Sequence, residues 1–143
     1  MRLHTTSETI SFLKELEEQA AQFFESIAQK YSKNEDLWHS LAKENRKYGS
    51  QIQRTYQSVI SDAIEGCFAF DLESDDHTLD TELSGNAGYG DAVTKAVAVE
   101  EKLLAFYHAA ADQSMSLLAD VPRNMKIVAR KRTARLERLK SLH

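Results

Sequence analysis

Apolar residues recur every three to four positions along most of this chain, the spacing of one face of an α-helix. From about Ser7 to Tyr31 the stripe reads Ile10, Leu13, Glu17, Ala20, Phe24, Ile27 and Tyr31, with Glu17 interrupting it. Thr5 followed by Glu8 has the spacing of a capping box and predicts where this helix starts. A second helix is predicted from about Glu35 to Ile64, capped by Ser32 with Glu35 or by Asn34 alone. Its stripe is Trp38, Leu41, Asn45, Tyr48, Ile52, Tyr56, Val59 and Ala63, with polar groups at Asn45 and Tyr48. A third runs from about Asp91 to Leu118. Its stripe is Val93, Ala96 or Val97, Glu100, Leu103 or Leu104, Tyr107, Ala110 or Ala111, and Ser114. Pro122 suits a first turn and starts a fourth helix to about Ser141, through Met125, Val128, Arg132, Arg135, Leu139 and Leu142.

Residues 65–90 break the period. They hold four of the five glycines and a cluster of acids, and they are too long for a tight turn. The segment reads as a crossover that carries the chain back along a bundle. Phe68 and Phe70 are expected to anchor it, with a short helical turn near Leu79–Leu83. Connections in the order short, long, short make the second and third helices parallel, which is ferritin-like topology. The expected fold is all-α: one domain over residues 1–143, a ferritin-like four-helix bundle with its crossover at about 65–90.

Composition agrees with helices. The chain has 143 residues, 42% hydrophobic and 28% charged, with one proline and five glycines, too little turn punctuation for a many-stranded β protein. Cys67 is the single cysteine, which excludes an internal disulfide and any cysteine-pair metal site. On the crossover, a buried and inert thiol is the simpler expectation for it. Met1 to Phe12 holds no apolar run of signal-peptide length, and no stretch approaches membrane-spanning length. A soluble cytoplasmic protein without membrane insertion is the expectation.

Every stripe carries polar groups at its centre. A di-iron carboxylate bundle takes one Glu from each of two helices and a Glu-x-x-His pair from each of the other two. Here Glu17 and Glu100 stand as the single glutamates. Asn45 with Tyr48, and Arg132 with Arg135, stand at the paired positions. Glu17 precedes the aromatic pair Phe23–Phe24 in ELEEQAAQFFESIA, and Glu100 precedes Phe106–Tyr107 in AVAVEEKLLAFYHAAA, each followed by small residues. With LAKENRKYG from Leu41 and ARKRTARLERL from Ala129, nearly the whole chain resembles the rubrerythrin branch of the ferritin-like family. The resemblance implies iron binding, peroxide reduction and pairing of two copies through a helix face.

The residues at the paired positions point away from that chemistry. Arginine offers donors and no acceptor, so it cannot ligate a cation. Two unpaired carboxylates inside a bundle would each cost on the order of several kcal/mol, which Arg–carboxylate forks would offset. No catalytic residue and no cofactor are therefore predicted. Glu17, Asn45, Tyr48, Glu100, Arg132 and Arg135 are expected as a core polar network at former metal positions. Iron is the alternative, with Glu17 and Glu100 as first ligands. Plainer readings stay open at this point. Glu17 and Glu100 sit at a stripe edge facing water, Arg132 and Arg135 snorkel outward, and Asn45 and Tyr48 are satisfied core groups. A shifted metal site would use Glu18, Glu44 and Glu101. His39 and His108 fall off the central stripe and read as surface residues, and Trp38 reads as core.

Charge is unevenly placed. The net charge of −4 divides into −11 over residues 1–120 and +7 over residues 121–143. The acids cluster at Asp71, Glu73, Asp75, Asp76, Asp80 and Glu82. A basic last helix docking on the acidic remainder of its own chain is the simpler reading, and an anionic partner such as nucleic acid is the other. Three functions follow: a binding or interaction module without its metal centre, a divergent metal-dependent oxidoreductase, or an anion-binding protein using the fourth helix.

Overall fold

The computed structural model describes residues 1–59, 68–114 and 120–142. Among the described residues the helices are α1 (Thr6–Lys30), α2 (Glu35–Val59), α3 (Tyr89–Ser114) and α4 (Asp120–Lys140). Thr5 caps α1 from extended backbone. Its hydroxyl accepts the Glu8 N–H at 3.1 Å, and the Glu8 carboxylate accepts the Thr5 N–H at 3.0 Å. At the entry to α2, Asn34 takes a left-handed φ of 59°, which asparagine tolerates. Its carbonyl accepts the Trp38 N–H at 3.2 Å, while its side-chain amide donates to the Tyr89 hydroxyl. Helix α4 begins two residues before Pro122, which sits in the first turn where its missing N–H costs nothing. The predicted ends of the second and third helices, and Cys67, lie outside the described residues.

Side-chain contacts fix the helix directions. Phe24 meets Trp38 and Glu17 meets Asn45, so α1 and α2 are antiparallel. Phe12 meets Phe106 and Tyr31 meets Tyr89, so α1 and α3 are antiparallel too. Helices α2 and α3 therefore run parallel, as the long connection requires. Gln51 meets Asn124 and Asn45 meets Arg135, which sets α4 antiparallel to α2.

Two short strands were not anticipated. β1 (Arg2–Thr5) pairs antiparallel with β2 (Phe68–Glu73), setting Leu3 opposite Leu72. Leu3, Phe70 and Leu72 are buried, so the crossover is anchored by Phe70 on a strand. The Phe68 side chain lies outside the described residues. The helical turn of the crossover is a 3₁₀ turn at Ser74–His77 rather than near Leu79–Leu83. The reason is local: the Glu73 carboxylate accepts the Asp75 N–H at 3.3 Å and starts the turn there. Leu79 instead packs into the core from irregular backbone.

The crossover acids serve the chain around them. Glu73 takes the N-terminal ammonium at 2.7 Å, Asp71 lies 3.6 Å from Arg2, and Asp80 holds Lys95 at 2.7 Å. Arg132 and Arg135 of α4 instead pair with Glu17 and Glu100 in the core. At the far end of the bundle, the Tyr89 hydroxyl accepts from Asn34 and from the Trp38 indole, tying the α1–α2 turn to the start of α3. No helix among the described residues is long and apolar enough to cross a membrane.

Candidate functional site

The polar positions on the four stripes converge at mid-bundle. Glu17 from α1, Asn45 from α2, Glu100 from α3, and Arg132 and Arg135 from α4 are all buried. Helical spacing alone explains their inward direction. Arg132 and Arg135, three residues apart, share the α4 face with Val128 and Leu139, and burying that face carries both guanidinium groups inside. Neither the snorkelling of the arginines nor the exposure of the glutamates is found.

The groups close a circuit. Arg132 donates from Nη1 to both Glu100 oxygens, at 2.9 and 3.0 Å, and from Nη2 to Glu17 Oε1. Arg135 Nη2 stands 3.0 Å from Glu100 Oε1 and donates to Asn45 Oδ1 at 2.7 Å. The Asn45 amide then donates to Glu17 Oε1 at 3.2 Å, which returns to the start. Two positive and two negative charges cancel inside the core, the condition under which buried ions are tolerated. The Arg132 guanidinium lies between two rings, 5.2 Å from the centroid of Tyr48 and 5.2 Å from that of Tyr107.

Tyr107 belongs to the site and was missed as a site residue. Its hydroxyl donates to Glu17 Oε2 at 2.6 Å. The signal was present: Tyr107 follows Glu100 by seven residues on the same stripe, where Phe24 follows Glu17. A tyrosine on a core-facing position carries a hydroxyl that needs a partner. The Tyr48 hydroxyl donates to Glu44 Oε2 at 3.3 Å and also feels the Arg135 guanidinium beside it, while the Tyr48 ring lies against both arginines.

Electrostatics keep the Arg132 guanidinium charged and the Tyr107 phenol neutral. Burial works against the Arg132 charge, but the Glu100 and Glu17 carboxylates outweigh it and hold the guanidinium firmly protonated. Burial pushes the Tyr107 hydroxyl well above an ordinary phenol, and the neighbouring Glu17 carboxylate adds to this, so Tyr107 acts as a donor. Burial also pushes Glu17 upward, with Arg132 and Tyr107 pulling against it.

These residues do not fit a pair of metal ions. Each Glu17 oxygen already accepts an N–H or O–H, both Glu100 oxygens accept Arg132, and a guanidinium fills the space between the two carboxylates. Among the described residues no three His, Cys, Asp or Glu side chains gather as a metal site. The shifted set is dispersed as well. Glu18 pairs with Arg46 at 3.0 Å, Glu44 accepts Tyr48, and Glu101 is exposed. His39 and His108 are exposed and Trp38 is buried.

Two cavities reach the network from outside. One of about 640 Å³ between α1 and α2 has Glu17 in its wall beside Lys14, Glu18 and Arg46. A smaller one of about 350 Å³ between α2 and α4 is bounded by Arg135 and Tyr48. Chemically, the arrangement offers fixed donors around a charge-neutral core and neither an open coordination position nor an activated nucleophile. Compared with known proteins, the chain matches no family model, no curated protein and no solved structure.

Proposed function

We propose that this chain is a ferritin-like bundle of the rubrerythrin type. In it a guanidinium–carboxylate circuit stands where that family holds its metal pair, and the protein acts as a binding or interaction module rather than as a peroxide-reducing enzyme. The observation that carries the reading is Arg132, which spans Glu17 and Glu100 from the centre of the core. The parallel course of α2 and α3 supports the ferritin-like part, because one long crossover in a four-helix bundle has that consequence. The donor chemistry supports the loss of metal, since a positive group that cannot be deprotonated repels a cation from the only carboxylates in the circuit.

Metal analysis with a visible spectrum, together with a peroxide-reduction assay, tests this on protein purified aerobically. Substoichiometric metal, no visible band and no turnover are expected. Stoichiometric iron, manganese or zinc would overturn the reading.

A further inference from the structure

Arg135 is satisfied on one side only. Its Nη2 serves Asn45 and Glu100, but Nη1 and Nε are buried without an acceptor, although the residue is only 6% exposed. A sealed guanidinium donor with no partner is costly, and in a native fold it calls for an explanation. Arg135 also lines the cavity of about 350 Å³ between α2 and α4.

The rest of that cavity has the same sign. Lys131 and Arg138 lie four residues before and three residues after Arg135 on one face of α4, and Lys47 faces them from α2. Among the described residues these three exposed side chains form no ion pair. Glu44 is the one acid in the wall, and it is engaged by the Tyr48 hydroxyl. With Arg135 balanced inside the circuit, Lys47, Lys131 and Arg138 against Glu44 leave an excess of two positive charges, which a single carboxylate ligand would not neutralise. A phosphoryl dianion would, with oxygens that suit guanidinium and ammonium donors together.

We propose that the cavity between α2 and α4 is a phosphate-binding site. Arg135 forms its floor, and Lys47, Lys131 and Arg138 form its rim. The ligand is free phosphate or a phosphomonoester. The site rests on the buried circuit in one respect: Asn45 and Glu100 hold the Arg135 guanidinium in place beneath it. The two claims fail separately, because metal content reads the circuit and anion titration reads the cavity.

Calorimetric titration with inorganic phosphate, phenyl phosphate and acetate, at one ionic strength, tests the site. Saturable binding of a phosphate compound is expected, with acetate not saturating. Phenyl phosphate binding more tightly than inorganic phosphate assigns an esterified ligand, and equal affinity assigns free phosphate. Lys131→Gln with Arg138→Gln, and separately Lys47→Gln, change only exposed side chains and leave the thermal melt in place. Each variant is expected to weaken binding about tenfold or more, the equivalent of about 1.4 kcal/mol. Absence of saturation with both phosphate compounds, acetate binding as tightly as phosphate, or unchanged affinity in the variants would overturn the proposal.

Discussion

Arg132 Nη1 bridges both oxygens of Glu100, at 2.9 and 3.0 Å, while the other arm of the same guanidinium holds Glu17. One side chain from α4 thus binds α1 and α3 together through charge. Arg132→Ala would leave two carboxylates in the core facing Arg135 alone. The expected loss is about 3–5 kcal/mol of folding stability, read from urea unfolding. Replacing the whole set (Glu17→Gln, Glu100→Gln, Arg132→Met, Arg135→Met) removes the charges together. That variant is expected to unfold close to wild type or to be more stable by about 1–4 kcal/mol. If both variants lose the same stability, the circuit is not the origin of the effect.

Tyr107 contributes through its hydroxyl as well as its ring. Tyr107→Phe keeps the packing and deletes the 2.6 Å bond to Glu17. A hydrogen bond to a charged acceptor is worth about 1.5–3 kcal/mol, and this variant should lose that much in the same denaturation experiment.

Gly49 offers a test of opposite sign. It lies inside α2, where glycine costs about 0.5–1 kcal/mol relative to alanine. A Cβ there would meet Glu17 Cβ and Lys14 Cγ at 3.5 Å, an ordinary van der Waals distance. Gly49→Ala is therefore expected to raise the melting temperature. A fall would show that α1 and α2 are closer than these distances allow.

The capping box sets an acid dependence. The Thr5 and His4 backbone N–H groups, with the Thr5 hydroxyl, hold Glu8 below its ordinary value. A carboxyl lowered in the folded state stabilises above its unfolded value and loses that contribution as pH falls through the lowered one. Glu8→Gln is thus expected to be less stable than wild type at neutral pH, with the difference closing in acid. A gap that stays constant down to strongly acid pH would contradict the assignment.

Much of this was legible in spacing. Thr5 and Glu8 marked the start of α1, and the stripes marked which side of each helix is buried. The strands were harder for a physical reason. Arg2–Thr5 has four residues, too few for a period to emerge, and its partner lies across the sequence at Phe68–Glu73. FAFDLE alternates apolar and polar only over its last four residues, Phe70 to Glu73, and the acids and glycines around it read as a loop. The order of the circuit was not legible, since Asn45 and Glu17 meet only once four helices have packed. Nor was the cavity at Arg135, which arises from the exposed edges of α2 and α4 and leaves no periodic trace.

The central claim is that arginine chemistry occupies the place of metal chemistry, and it can be tested by reversal. Asn45→Glu, Tyr48→His, Arg132→Glu and Arg135→His together would give the bundle four carboxylates and two histidines, the ligand set of a di-iron site. The measurement is iron bound per chain after anaerobic loading with ferrous ion, taken on wild type and variant side by side. The account predicts substoichiometric iron in wild type and about two ions per chain in the variant. Stoichiometric iron in wild type would contradict it.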